Sequence, residues 1–202
     1  MAFDDFLEDA KLGIETTGRD NSCETPNVLA YEPTTYTVLD RIITQGNITA
    51  DDHIVDYGSG KGRVCIFLSD RTGCRSTGIE LVKKFHEKAC VNLAAYRKNA
   101  KKEVDIDFIN VKAQDYDLPD TADVLFFFNP FSHKTFGAVI RKVLESYERV
   151  QRHIRIFIYY PQDAFIALLS GISEVMFYDE IDCGDLFSEE DDRNRVMIFE
   201  IG

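Results

Sequence analysis

A glycine-rich turn between two apolar runs constrains this fold more than any other feature of the sequence. The turn reads DYGSGKG at residues 56–62, after the apolar run 53–55 and before the apolar run 64–68. Glycine tolerates a sharp backbone turn, and it lets a ligand approach where a Cβ would block it. The segment therefore predicts a strand, a tight turn and a helix, with a ligand-binding site at the turn.

Two other glycine-rich motifs do not fit this segment. The dinucleotide fingerprint G-x-G-x-x-G needs a glycine at position 63, where the chain has Arg63. The P-loop pattern G-x-x-x-x-G-K-[S/T] does not occur in the sequence. What remains is an acid, Asp56, followed by three glycines at alternate positions.

The composition favours one acidic globular domain. The chain has 202 residues, of which 45% are hydrophobic, and this is enough for a full core. The 23 Lys and Arg residues and 35 Asp and Glu residues give a net charge of −12, which repels nucleic-acid phosphates. A protein or a small molecule is therefore favoured as partner. Nucleic acid is disfavoured but not excluded, because the basic segment 98–102 is either a local basic patch or, as we favour, a solvated helix end.

Cysteine usage and hydropathy point to the cytoplasm. The five cysteines include no C-x-x-C pair, and the four histidines have no metal-ligand spacing with them. We therefore expect reduced thiols and no metal. No apolar run approaches the length of a membrane span, so no membrane association is expected.

Hydrophobic periodicity predicts an α/β fold. Helices are predicted at 2–13, 34–45, 82–98 and 133–150, and one more follows the turn. Strands are predicted at 53–57, 75–80, 104–109, 123–128, 154–160, 174–181 and 195–201. Strands separated by helices form parallel crossovers, whereas the last two strands follow each other directly and pair antiparallel. We expect a doubly wound, mostly parallel seven-stranded sheet with a C-terminal antiparallel hairpin.

The turn and the order of elements over residues 31–201 resemble motif I and the Rossmann-like fold of the class I S-adenosylmethionine (SAM)-dependent methyltransferases. The resemblance implies a SAM-binding methyltransferase domain at residues 31–202. Residues 1–30 would add an N-terminal helix and a lid, since the polarity of residues 15–30 suggests a loop that orders over the cofactor.

The resemblance also assigns cofactor-binding residues at the carboxyl ends of the strands, where such a sheet binds ligands. The turn amides would hold the methionyl carboxylate, and Asp56 the amino group. Glu80 would bind both ribose hydroxyls, because a carboxylate presents two oxygens to a diol, although NAD enzymes use the same device. Asp115 would bind the adenine amino group, with Asp117 as a rival. The full predicted set is Asp56, Tyr57, Gly58, Ser59, Gly60, Gly62, Glu80, Leu81, Gln114, Asp115, Asn129 and Thr34, the last being either a ligand for the carboxylate or only a helix N-cap.

The segment Asn129-Pro130-Phe131 ends the fourth predicted strand and resembles the [Asp/Asn]-Pro-Pro-aromatic element of amino-group methyltransferases. The resemblance assigns these three residues to catalysis, with the amide oxygen accepting a hydrogen bond from the target nitrogen. The second proline is missing and Ser132 stands where the aromatic would be, which argues against stacking on a planar base. His133 is either a proton acceptor or a helix-start residue.

The sequence therefore predicts methyl transfer from SAM to an acceptor nitrogen on a protein or a small molecule. Two alternatives stay open: a non-catalytic module that binds SAM or a nucleotide, and an NAD-dependent oxidoreductase. Arg63 and the terminal hairpin argue against the oxidoreductase. The acidic run 189–192 is interpreted as a solvated hairpin tip or, alternatively, as a rim that attracts a cationic substrate.

Overall fold

The computed structural model describes residues 2–24, 29–100 and 103–202. Its strands are β1 (His53–Tyr57), β2 (Arg75–Glu80), β3 (Ile106–Asn110), β4 (Val124–Phe128), β5 (Ile154–Tyr159), β6 (Val175–Asp182) and β7 (Arg195–Ile201). Its helices are α1 (Ala2–Leu12), α2 (Tyr36–Gln45), α3 (Arg63–Thr72), α4 (Lys83–Asn99), α5 (His133–Arg149) and α6 (Asp163–Ser170). Among these described helices, none has both the length and the apolar character needed to cross a membrane.

The strands form one seven-stranded sheet in the order β3-β2-β1-β4-β5-β7-β6. The first five pair in parallel, whereas β7 runs antiparallel between β5 and β6. The predicted fold class is confirmed. The chain reverses its winding direction between β1 and β4, which places the carboxyl ends of these two strands at the point where such sheets bind ligands.

Helices cover both faces of the sheet. The residues of β1 alternate, so that Ile54 joins a core with α2 and α3, whereas Val55 and Tyr57 join a core with α5 and α6. This period of two follows from the pleat of a strand that is buried on both faces. Both faces of the sheet are therefore packed against helices, and the loops at its carboxyl edge are available to form a site.

The predicted boundaries agree closely with the structure, and β1, β2 and β7 begin and end where expected. Strand β3 begins at Ile106, two residues later than predicted. Helix α6 was not predicted individually, because its eight residues give only one repeat of buried apolar positions, Phe165 and Leu169. Residues 25–28 of the predicted lid, and residues 101–102 of the basic segment, lie outside the described residues.

His53 is buried at the start of β1, where its two ring nitrogens lie 2.8 Å and 3.0 Å from the hydroxyls of Thr121 and Thr77. Burial, aided by the positive charge of Arg75, lowers the pKa of His53 from 6.5 to about 4. The neutral ring therefore suits the folded state, whereas the unfolded chain takes up a proton at a higher pH.

We expect His53 to make the fold acid-sensitive. Its folded-state pKa is depressed, so its contribution to stability is present above pH 6.5 and is lost as the pH falls toward about 4. The loss should reach about 3 kcal/mol, measured by urea unfolding across this pH range. The His53→Gln variant should flatten the pH dependence, whereas the exposed-site control His133→Gln should not. Parallel curves for His53→Gln and wild type would contradict this assignment.

Candidate functional site

The glycine turn connects β1 to α3 at the carboxyl edge of the sheet. Gly58, Gly60 and Gly62 have φ values of +87°, +54° and +87°, a region that favours glycine. A Cβ at Gly58 would overlap Pro130, and a Cβ at Gly60 would overlap the ring of Tyr31. The absence of a Cβ at these two glycines therefore makes room for Pro130 and Tyr31. The sequence had suggested instead that it makes room for a ligand.

Pro130 and Tyr31 line a cavity of about 420 Å³, which we call the turn cavity. It lies beside the turn, between the ends of β1 and β2 and the segments that follow β3 and β4. The predicted site residues that line it are Gly58, Gly60, Glu80, Leu81, Gln114, Asn129, Pro130 and Phe131. Tyr31 and Ala30, from the N-terminal segment, form the opposite wall.

The other predicted site residues lie outside this lining. Tyr57 stacks on Phe127 in the core, with ring centroids 4.9 Å apart. Asp115 is exposed on a short turn of 3₁₀-helix, while its neighbour Gln114 lines the cavity. Thr34 is buried, and Thr35 occupies the N-cap position of α2. Asp56, Ser59 and Gly62 belong to the turn segment but do not line the cavity. His133 is exposed at the start of α5 and lines neither of the two cavities described in this subsection.

Two buried acids lie at the turn cavity: Glu80 lines it, and Asp56 lies at the end of β1, outside its lining. Burial, reinforced by the nearby charge of Glu80, raises the pKa of Asp56 to about 8. Asp56 Oδ2 and Ser59 Oγ are buried without a hydrogen-bond partner in the described part of the chain. Glu80 accepts hydrogen bonds from the backbone amides of Gly60 (2.8 Å) and Val82 (2.7 Å), while burial raises its pKa. These groups suit a ligand that brings a positive charge and hydroxyl donors.

A second cavity, of about 550 Å³, opens beside the first, and we call it the aromatic cavity. Its lining includes the aromatic residues Phe128, Tyr159, Tyr160 and Phe187. The two cavities share lining residues, which are Leu29, Ala30, Glu32, Phe128 and Asn129. The arrangement can hold two molecules side by side, with Asn129 lining both cavities.

The backbone is strained where the cavities meet. Asn129 has a φ of +42° and Tyr160 a φ of +53°, at the ends of the adjacent strands β4 and β5. Such a conformation costs about 1–3 kcal/mol for a residue other than glycine and persists only where the surroundings enforce it. The side chain of Gln162 donates a hydrogen bond to Asn129 Oδ1, so the amide is held in one orientation.

Arg63, at the start of α3, is the functional residue that the sequence analysis missed. In the sequence, Arg63 was notable only because it replaces the third glycine of the dinucleotide fingerprint. In the structure its guanidinium is almost completely buried. Arg63 pairs with Asp5 at 2.7 Å and lies 3.6 Å from Asp9. The spacing of four between these acids, on one face of a predicted helix, was the signal that could have revealed a buried cationic partner.

The Arg63 network fastens the N-terminal segment to the turn. Arg63 donates to the hydroxyls of Thr16 (2.7 Å) and Thr17 (2.9 Å) and to the carbonyl of Thr34 (3.0 Å). The hydroxyl of Tyr31 in turn donates to the carbonyl of Thr16 at 2.6 Å. The wall of the turn cavity therefore depends on an arginine that lies just behind the turn.

Hydrogen bonds keep the acidic side of this network ionised. Burial alone would raise the pKa of Asp9, but hydrogen bonds from Thr16 and Tyr36 lower it. The guanidinium carbon of Arg63 also lies 4.3 Å from the ring centre of Tyr36, a cation–π distance. A buried network of this kind has to stay complete, because any missing partner leaves an uncompensated charge in the interior.

We expect Arg63→Met to destabilise the protein by about 3–5 kcal/mol, because Asp5 and Asp9 lose their buried partner. Urea unfolding measures the loss, and limited proteolysis should show faster cleavage within residues 13–24. The control Arg71→Met removes a half-exposed arginine of α3 that pairs with Glu8 at 3.4 Å. That change should cost less than about 1 kcal/mol. Equal losses in the two variants would contradict an anchoring role for Arg63.

Backbone strain at Asn129 can be measured separately from its amide. Asn129→Gly and Asn129→Ala both remove the bond to Gln162, but only alanine keeps the strain, so the Ala variant should be less stable by about 1 kcal/mol. The control is the same pair of changes at Lys112, whose φ is −69°. There the Gly variant should be no more stable than the Ala variant. Equal stability of both Asn129 variants would mean that the positive φ costs nothing.

The sequence matches the family described as "Methyltransferase domain" over residues 54–153. This range begins in β1, includes the turn, Glu80, Asn129 and α5, and ends next to β5. Curated proteins provide no match. The matched segment therefore contains the glycine turn and Asn129, but not the N-terminal wall of the turn cavity or the terminal hairpin.

Three solved structures share the fold. An RNA methyltransferase from Salinibacter ruber, in complex with S-adenosylhomocysteine (SAH), is 18% identical with a TM-score of 0.52, covering 84% of this chain and 92% of that one. Magnesium protoporphyrin IX methyltransferase from Synechocystis, with bound SAM, is 15% identical with a TM-score of 0.57, covering 82% and 77%. Precorrin-6y C5,15-methyltransferase from Geobacter metallireducens is 17% identical with a TM-score of 0.59, covering 84% and 88%.

At these identities the structural likeness establishes the fold and leaves the acceptor open. The family match adds the activity, since it spans the strand, turn and helix that carry the acid and the three glycines. An NAD-dependent oxidoreductase is thereby set aside. Residues 54–153 are a methyltransferase domain, and the chain is a SAM-dependent methyltransferase with the class I fold.

Proposed function

We propose that this enzyme transfers the methyl group of SAM to a nitrogen atom of an acceptor that binds in the aromatic cavity. The observation that carries the proposal is the position of Asn129, the residue at the end of β4 that lines both cavities. One cavity is then available to SAM and the other to the acceptor. SAM supplies a methyl group that a sulfonium already activates, so the protein's main task is to position the acceptor.

The volume of the turn cavity, about 420 Å³, and the buried acids beside it support the assignment of SAM to this cavity. We assign the methionyl carboxylate to the backbone amides of the turn, next to the N-terminus of α3. The unpartnered Oδ2 of Asp56 would accept from the amino group, and Glu80 would exchange its backbone partners for the ribose hydroxyls. Gln114, which lines the cavity, takes precedence over the exposed Asp115 for the adenine.

Asn129 would select the acceptor atom. Its Oδ1 accepts one hydrogen bond from Gln162, and a carbonyl-type oxygen has a second lone pair for a donor such as an acceptor N–H. This fixed oxygen would aim the nitrogen lone pair toward the turn cavity. Pro130 packs on the turn and Phe131 is buried against Phe127, so both would position Asn129 rather than stack on a substrate.

The acceptor is proposed to be a small molecule or a protein side chain. Two of the similar structures are an RNA methyltransferase and a magnesium protoporphyrin IX methyltransferase, so the fold serves acceptors of very different size. A net charge of −12 and the acids that line the aromatic cavity disfavour a polyanion such as RNA.

Calorimetric titration with SAM, SAH and NAD tests the cofactor assignment. We expect both adenosyl ligands to bind and NAD not to bind. Glu80→Ala should weaken SAH binding by at least about tenfold, because a buried carboxylate that accepts from the ribose is worth roughly 1.5–3 kcal/mol. The control Glu87→Ala, an exposed acid of α4, should not change the affinity. Unchanged SAH affinity in Glu80→Ala would remove Glu80 from the site.

A screen of amine, amide, hydroxyl, thiol and carboxyl acceptors tests the nitrogen assignment through SAH release. We expect activity on nitrogen compounds, and a loss of about 100-fold or more in kcat for Asn129→Gly, because the fixed acceptor oxygen is removed. SAH affinity should change little in that variant. Turnover of hydroxyl, thiol or carboxyl acceptors alone would refute the proposal.

A further inference from the structure

We infer that the aromatic cavity recognises a positively charged group, so that the acceptor is a cationic amine rather than a neutral or anionic compound. The inference rests on the proposed function for the position of the acceptor. It deepens that function by naming the chemical class of the substrate. Three independent features of the cavity carry it: its aromatic walls, its excess of carboxylates and the arrangement of Tyr160.

Three aromatic rings stand together at the ends of β4 and β5. The centroids of Phe128 and Tyr159 are 4.7 Å apart, and Tyr160 lies 6.4 Å and 6.3 Å from them, respectively. Phe187, from the segment between β6 and β7, adds a fourth ring to the lining. Aromatic faces attract cations and apolar groups while offering little to an anion. The shape and surface therefore suit an ammonium or guanidinium group on an organic scaffold.

Carboxylates outnumber cations around these rings. The lining contains Glu24, Glu32, Glu189 and Asp191 against Arg19, and Asp191 is paired with Arg193. Glu32 lies close enough to Tyr159 and Tyr160 for its charge to act on both hydroxyls. Within the described residues, Glu32 and Glu189 form no salt bridge, so their charges are available to a ligand.

Tyr160 already behaves as a cation-binding surface within the protein. Its hydroxyl donates to Asp191 at 2.5 Å, and the guanidinium carbon of Arg193 lies 4.4 Å from its ring centre. Asp191 stays ionised, since hydrogen bonds from Arg193 and Tyr160 lower its pKa. The strained backbone of Tyr160 is thus held in place by its side chain, which keeps the ring at the cavity wall.

The negative cavity also suits the product of N-methylation. A protonated amine must lose one proton before its lone pair can form the new N–CH₃ bond, and the exposed acids at the rim leave a path to solvent water. The methylated nitrogen then carries the positive charge that the sulfonium loses. Carboxylates and aromatic faces near that nitrogen stabilise this developing charge, whereas they would repel a carboxylate acceptor.

A matched pair of probes tests the inference: 2-phenylethylammonium and 2-phenylethanol, which have similar size and differ in charge. Ligand-observed NMR titration at pH 7, with saturating SAH and again without it, gives both affinities. We expect the ammonium to bind at least about tenfold more tightly than the alcohol. The double variant Glu32→Gln/Glu189→Gln should reduce this preference and leave the alcohol affinity unchanged. Tyr160→Leu should weaken the ammonium more than the alcohol.

The control variants are Glu190→Gln and Asp192→Asn. Each removes one carboxylate charge from the loop that contains Glu189, at a residue outside the cavity lining. They should keep the full preference for the ammonium, and their SAH affinity should equal that of wild type. Equal binding of the two probes to wild type, or an equal loss in the control variants, would overturn the inference. Failure of SAH to bind wild type would count against the proposed function instead, while the probe pair would still decide the charge preference.

Discussion

The buried ion pair between Arg63 and Asp5, extended to Asp9, is the interaction on which the rest of the site depends. A guanidinium removed from water is tolerated only when its donors are satisfied, and here two acids, two threonine hydroxyls and a carbonyl supply the partners. This requirement ties α1 and the following segment to the first turn of α3. The wall of the turn cavity is thereby fixed at the place where the glycine turn ends.

The two halves of the site differ in how their geometry is maintained. On the turn side, glycines remove steric conflict, so Tyr31 and Pro130 can approach the backbone closely. On the aromatic side, Asn129 and Tyr160 adopt conformations that glycine would accept more easily, and their side chains are held by Gln162 and Asp191. Retaining an amide and a phenol in strained positions is consistent with side chains that serve a purpose beyond folding.

The sequence was informative where a local pattern implies one geometry. Strands β1, β2 and β7 and the glycine turn were predicted at the correct residues, because apolar alternation and glycine spacing act within a few residues. The positions of Glu80 and Asn129 at strand ends followed from the same reasoning, and both line the turn cavity. Asp115 and Gln114 show the limit, since neighbouring loop residues point in different directions that spacing alone does not define.

The sequence by itself determined the fold class and the glycine turn, because each rests on periodicity or on spacing within one segment. The methyltransferase assignment came from the resemblance of that turn and of the element order to a known family. Only the tertiary structure decided the role of Arg63, whose partners lie 58 and 47 residues away at Asp5 and Thr16. It also decided the aromatic cavity, which combines strand ends, the loop before β7 and the N-terminal segment. Contacts between distant segments arise from the packing of the whole chain, so no local pattern specifies them.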